Sequence, residues 1–227
     1  MISLIIAATA PVWVLLTFFY LRDCYEQEPR QLLLRIFFYG MTTTLVAALI
    51  GVFGLVLVRE VLSVDALLAL IVENFVIIAF VEEGLKYFVV IRWTYHQPAF
   101  NEPYDGMIYA ITTSLGFAAL ENVLYVLQGG PQIALLRGLL SVPAHALFAA
   151  AMGYYLGKAK FSQSDAQERK HRSRALLVPV VLHGIFNLLL STEHSLLAVG
   201  VVPFSVILWV MALRQVRLSQ MRSPFRP

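Results

Sequence analysis

The run ALLALIVENFVIIAFVEEGLKYFVVI, residues Ala66 to Ile91, decides the fold. As a helix rising ~1.5 Å per residue it outreaches a hydrocarbon core of roughly 30 Å, and its apolar residues leave no polar face for water. It therefore reads as a membrane span. Yet it holds four charged side chains, Glu73, Glu82, Glu83 and Lys86, which cost several kcal/mol each against lipid. Such groups face the interior of a bundle and mark function.

Working outward, comparable apolar runs centre on residues 2–21, 32–58, 105–127, 134–157, 175–190 and 196–213, so about seven spans are expected. Polar punctuation separates them at Arg22 to Arg30, Arg59 to Asp65, Gln97-Pro98 to Pro103, Gly129-Gly130-Pro131, Lys158 to Arg174, and Ser191 to Ser195. Of 227 residues 59% are apolar and 14% charged, which excludes an ordinary soluble domain. The fold class is all-α, a polytopic transmembrane bundle forming one domain over 1–227, with a motif-bearing core at about 66–190.

The net charge of +3 reports topology, not nucleic acid. Alternating the connections collects fourteen basic residues on one side and leaves Arg59 and Arg137 on the other, so the C-terminus is expected in the cytoplasm and the N-terminus outside. No basic residue precedes the first apolar run, which is expected to be a retained span. Segment 158–174 reads as a flexible cytoplasmic loop, and Cys24 as an interfacial bystander.

Further polar groups recur at membrane depth. Glu82 and Glu83 stand four and three residues before Lys86, so one ammonium can reach either carboxylate. Glu121 follows Gly116-Phe117, His145 and Phe148 lie in the fifth span, and His183 and Asn187 share a face of the sixth. Counted from the expected cytoplasmic ends, Glu82, His145 and His183 come at roughly 12–18 Å and Glu121 at roughly 20–25 Å. Convergence then requires a tilted fourth helix or a shifted boundary.

Two chemistries suit such a set. Histidine and glutamate can hold Zn²⁺ with an open position while another glutamate takes a proton from water. Without a metal, a glutamate of raised pKa can activate water while His and Asn donors stabilise an oxyanion. Blander roles exist for each group: a buried Glu82–Lys86 pair can set helix register, and Asn122, Asn187 or either histidine can join helices. Asp105 fits a helix start. Glu73, Arg59, Arg137, His96, His171 and His194 lie near span ends or in loops, where snorkelling or solvation suffices.

The run Glu82-Glu83-Gly-Leu-Lys86 resembles the EExxK motif of the PrsW family of intramembrane proteases, themselves similar to the type II CAAX prenyl endopeptidases. Phe117 to Glu121 resembles the FxxxE element, which replaces FxxxH of the CAAX branch. His145 with Phe148 fits the third motif and His183 to Asn187 the HxxxN element, while Asp105-Gly106 and Glu121-Asn122 also look like family positions. The resemblance spans roughly residues 75–190, and its weight lies in the order and spacing of four motifs together.

The resemblance implies a plasma-membrane protease of bacteria that makes the first cut in a single-pass, membrane-anchored anti-sigma factor. It also implies that Glu82, Glu83, Glu121, His145, His183 and Asn187 form the active site with Lys86 in support. The family is classed with metalloproteases, so Zn is the expected cofactor, with Glu121, His145 and His183 as ligands. Some CAAX relatives work without a catalytic metal. Two rival functions share these residues: a non-catalytic scaffold, like the gamma-secretase subunit in the same superfamily, and a proton-coupled transporter. The absence of an inverted repeat and of paired broken helices speaks against the transporter.

Overall fold

The computed structural model describes residues 1–62, 65–191 and 199–227, and among them the chain is helical with no strand. Among the described residues eight α-helices follow in order: α1 (Ile2–Tyr20), α2 (Arg30–Val56), α3 (Ala66–Val72), α4 (Val81–Trp93), α5 (Asp105–Leu139), α6 (Ser141–Lys160), α7 (Asp165–Ser191) and α8 (Val201–Gln220). A π-helical segment at Leu57–Val61 extends α2, and another at Glu73–Phe80 joins α3 to α4. Five helical stretches are long and apolar enough to cross a membrane: Ile2–Tyr20, Arg30–Val61, Asp105–Lys160, Asp165–Ser191 and Val201–Gln220. The chain is a multi-pass membrane protein, as the apolar runs led us to expect, although the expected span over 66–91 is not among these five and is divided into α3, a π-helical segment and α4.

α5 is the hub. Residues Asp105 to Ala119 are buried without interruption, because α1, α2, α4 and α6 pack around this half of the helix. Small residues permit that approach, as in other membrane bundles where backbones meet at glycines. A Cβ on Gly116 would land on the Phe37 carbonyl of α2, and one on Gly153 of α6 on the backbone of Gly106 and Met107. Apolar side chains such as Leu49, Phe53, Phe88, Val206 and Val210 project outward, where lipid takes the place of a core.

Three expected boundaries are corrected. The turn at Gly129-Gly130-Pro131 is a reversal within α5: Gly130 adopts φ 74°, ψ −165°, which breaks the helix. Arg137 then lies 2.7 Å from Glu121, although a separation of sixteen positions would span about 24 Å in a straight helix. The piece from Pro131 to Leu139 therefore folds back as a short re-entrant helix, and the next crossing helix begins at Ser141, not at residue 134.

Secondly, most of 158–174 is not a loop. α7 starts at Asp165, where Ser164 Oγ accepts from the Gln167 N–H at 3.4 Å and Asp165 and Glu168 complement the positive end of the helix. Glu168 and Arg172 add an i,i+4 pair at 3.8 Å. Thirdly, the last helix runs to Gln220, seven residues past the expected end at 213. Residues 196–198 of that expected span, His194 and most of the turn at Ser191 to Ser195 lie outside the described residues.

Candidate active site

The site is built where α4, α5, α6 and α7 meet. The π-helical stretch just before α4 carries an extra residue per turn, which rotates the face before it relative to the face after it. Glu73 thereby meets Arg59 in a two-pronged pair of 2.6 and 2.7 Å, more than the expected solvation at a span end. Past the bulge, Glu82 and Glu83 both turn inward, despite diverging by ~100° around the axis.

Lys86 stands between them, with no exposed surface. Its Nζ donates to Glu83 Oε1 at 2.7 Å and Glu82 Oε2 at 3.4 Å, reaches His145 Nδ1 at 3.1 Å, and sits 4.2 Å from the centre of the Phe117 ring. An ammonium has only donors, so His145 Nδ1 must accept, and the imidazole proton resides on Nε2. That Nε2–H in turn donates to Glu121 Oε2 at 2.9 Å. Ser114 Oγ holds the His145 carbonyl at 2.9 Å, which ties α6 to α5 at this level.

His183 is oriented from two sides. Its Nδ1 donates to Glu83 Oε1 at 3.0 Å, and Phe148 stacks on the ring with centroids 5.0 Å apart. A carboxylate on one imidazole nitrogen fixes the tautomer and leaves the lone pair on the other, the arrangement found behind metal-bound histidines. No described residue pairs with His183 Nε2.

Glu121 is shared. Besides His145 it accepts from Arg137 NH2 at 2.7 Å, and Arg137 Nε donates to Asn122 Oδ1 at 3.0 Å while the guanidinium covers the Tyr125 ring at 4.0 Å. Arg137 was expected to snorkel at a span end. The reversal at Gly130 instead turns it into the site. The sequence did carry a signal: nine residues between Pro131 and Leu139 are too few to cross a bilayer, so an arginine within them must return to polar company. Asn122 joins helices as expected, its amide donating to the Ala8 carbonyl at 2.7 Å, and Asp105, in the first turn of α5, fixes the segment before the helix by accepting the Asn101 and Glu102 N–H groups at 2.7 Å each.

The expected depth mismatch of Glu121 disappears. His145 lies fifteen residues from the Lys160 end of α6, about 22 Å, and Glu121 sixteen from the start of α5, about 24 Å. The expected cytoplasmic end at residue 157, three residues short of Lys160, had placed His145 too shallow.

A cavity of about 530 Å³ opens against this cluster. Glu82, Glu121, Arg137, His145, His183 and Asn187 line it, whereas Glu83 and Lys86 stand behind. Donor atoms of Glu82, Glu83, His145 and His183 lie within 4.8 Å of one another, close enough to share one metal ion. The set of two imidazoles and two carboxylates suits Zn²⁺, and Glu83 Oε2 is buried with no partner. The convergent group keeps His145 and His183 of the expected ligand trio, lacks Glu121, which is engaged by Arg137 and His145, and adds Glu82 and Glu83. Three carboxylates face two cations, Lys86 and Arg137, so one negative charge stands unmatched when both histidines are neutral.

Over residues 28–213 the chain matches the family described as PrsW family intramembrane metalloprotease. The chain belongs to the PrsW family. It is similar to Protease PrsW of Geobacillus kaustophilus (strain HTA426), with 41% identity over 222 residues covering 97% of this chain and 93% of that one. Protease PrsW of Bacillus subtilis (strain 168) is 38% identical over 221 residues, covering 97% of each chain. Protease PrsW of Clostridioides difficile (strain 630) is 31% identical over 212 residues, covering 92% and 87%. No solved structure matches the chain. As a PrsW protein the chain is an enzyme, a membrane-embedded peptidase whose substrate is a membrane protein.

Proposed function

We propose that the protein cuts a peptide bond in a single-pass membrane protein at the cavity bordered by Glu82, and that this is the first cut in an anti-sigma factor of a bacterial plasma membrane. Convergence of Glu82, Glu83, His145 and His183 at one end of the cavity carries the reading. Bacterial relatives support the compartment, and the resemblance of the four motifs supports the substrate class. The clustering of basic residues at the tail-bearing end supports a cytoplasmic C-terminus.

Glu82 is the water-activating carboxylate, since it borders the cavity where a substrate carbonyl can lie and Glu83 does not. Glu83 positions: it orients His183 through Nδ1 and pins Lys86. Asn187, one turn after His183 on the same face and at the cavity wall, donates its amide to the tetrahedral oxyanion. Glu121 holds the proton of His145 on Nε2. Zn²⁺ held by His145, His183 and Glu83 would polarise the scissile carbonyl and acidify water, leaving Glu82 free as the base.

A second reading has a specific observation behind it. The Lys86 ammonium already occupies the neighbourhood of the donor atoms, contacting three of the four residues, and a dication there would repel it. In a metal-free enzyme Lys86 supplies that positive charge permanently, and His183, once protonated, donates to the carbonyl oxygen.

The test pairs elemental analysis with cleavage. In folded, membrane-inserted protein, Glu82→Gln abolishes cleavage of a single-pass reporter, and about one zinc per chain that is lost in His183→Ala selects the metal reading. Wild-type cleavage by Glu82→Gln refutes the assignment of Glu82. Intact folding with no cleavage of any single-pass reporter by the wild type would favour the scaffold.

A further inference from the structure

We propose that the bundle carries a second binding site, a pocket for a phosphate group at the end that bears the C-terminal tail, suited to the headgroup of an anionic phospholipid. The pocket, about 640 Å³, lies between the start of α7, the end of α6, the segment before α5 and the tail that follows α8. Lys158, His171 and Arg222 line it, with the amides of Asn101, Gln163 and Gln167 as further polar groups. None of this belongs to the proteolytic site, and the inference does not rest on it.

Three observations point to an anion. The cations are uncompensated: Arg222 and Arg174 act on Lys158 as like charges, and among the described residues Lys158, Arg174 and Arg222 form no ion pair. The acids that could have neutralised them are engaged elsewhere. Glu168 binds Tyr95 Oη at 3.1 Å and Arg172, and Glu102 is buried beside Asp23. The His171 ring is held flat against Tyr155, centroids 6.3 Å apart, yet its Nδ1 is buried without a partner. A donor or acceptor left unsatisfied beside clustered like charges is costly unless a ligand completes it.

Location selects the chemistry. Tyr95, Trp93, Tyr154 and Tyr155 cluster near this level, the aromatic belt expected where a bundle leaves the hydrocarbon. There the prevalent anion is the phosphodiester of the lipid itself, and each basic residue near an anionic surface strengthens attraction. Lys and Arg bind phosphate oxygens by charge-assisted hydrogen bonds.

The test uses purified full-length protein, phosphatidylglycerol and phosphatidylcholine of the same acyl chains, and inorganic phosphate as a separate probe. Native mass spectrometry after delipidation and re-addition should find phosphatidylglycerol retained about tenfold better than phosphatidylcholine. The pair Lys158→Gln with Arg222→Gln should abolish that preference, while the exposed pair Arg169→Gln with Lys170→Gln, of equal charge change, should keep it. Lys158→Arg should restore it and report that the fold is intact. Thermal protection by millimolar inorganic phosphate, lost in the same pocket variant but without lipid preference, would assign the pocket to free phosphate. Equal lipid preference in the pocket and control variants, or none in the wild type, would overturn the proposal and leave only generic surface charge.

Discussion

Replacing Arg137 by Met tests whether the re-entrant half of α5 is part of the catalytic apparatus. The guanidinium makes a charge-assisted bond to Glu121 at 2.7 Å and a second bond to Asn122 at 3.0 Å. Breaking a fully buried ion pair costs roughly 3–5 kcal/mol. Both side chains here are partly open to the cavity, 15% and 16% exposed, so water can rehydrate the orphaned carboxylate and a loss of about 2 kcal/mol is expected. The kinetic effect should be larger. Glu121 freed from Arg137 is no longer held in place, so the His145 ring that donates to it can shift, and misplacing a catalytic constellation by about 1 Å costs on the order of 10²-fold in rate. The assay is cleavage of a single-pass reporter in proteoliposomes beside thermal unfolding of the same preparation. A double-mutant cycle with Glu121→Gln separates mechanism from stability. If Arg137 acts through Glu121, the double variant is no slower than Glu121→Gln alone. Additive rate losses, or unaltered cleavage by Arg137→Met, would refute the reasoning.

Glu82→Gln should remove turnover with little loss of stability, because Glu82 borders the cavity and its bond to Lys86 is long at 3.4 Å; Glu83→Gln should lower both, since it severs the 2.7 Å bond to Lys86 and weakens the hold on His183. Comparable melting temperatures for the two variants would contradict this division. Lys86→Met should destabilise the protein yet raise its zinc content if the ammonium and the metal compete for one neighbourhood; unchanged zinc with lost cleavage would show Lys86 working alongside the metal. Outside the spans, burial and neighbouring carboxylates push Asp23 up to about 8 and Glu28 up to about 9. The folded protein then keeps protons that the unfolded chain releases near pH 4, so this stabilisation is complete below about pH 4 and is lost as pH rises through those raised values. Melting temperature should fall from pH 5 to 9.5 in the wild type and less in Asp23→Asn with Glu28→Gln; parallel curves would exclude these two groups.

What was legible in the sequence is what depends on neighbours along the chain. Apolar runs of crossing length gave the bundle, and the three- and four-residue spacings of Glu82 and Glu83 to Lys86 gave an ammonium between two carboxylates. Links across helices were less accessible. Nothing local says that Glu121 of α5 takes the Nε2 of His145, or that Glu83 rather than Glu82 orients His183. Two of the errors have one physical source. Hydropathy marks where a chain can be buried, not where its backbone turns, so the single φ of Gly130 shifted a span boundary and concealed Arg137. The helical start at Ser164-Asp165 was missed for the opposite reason: its charges suggested solvent, although acids at a helix N-terminus stabilise the helix.

A site holding three carboxylates in a bundle designed for lipid needs its charges met at nearly every step. Lys86 and Arg137 meet two, one from within the helix that bears Glu82 and Glu83 and one from a segment folded back from the opposite direction. The remaining negative charge defines the working cycle, because a metal, a protonated histidine or a protonated glutamate each satisfies it and each leaves a different group free to react. Zinc content in the wild type and in Lys86→Met therefore decides more than cofactor identity: it decides whether Glu82, the base we propose, stands beside a dication or beside a lysine that must hold its place throughout.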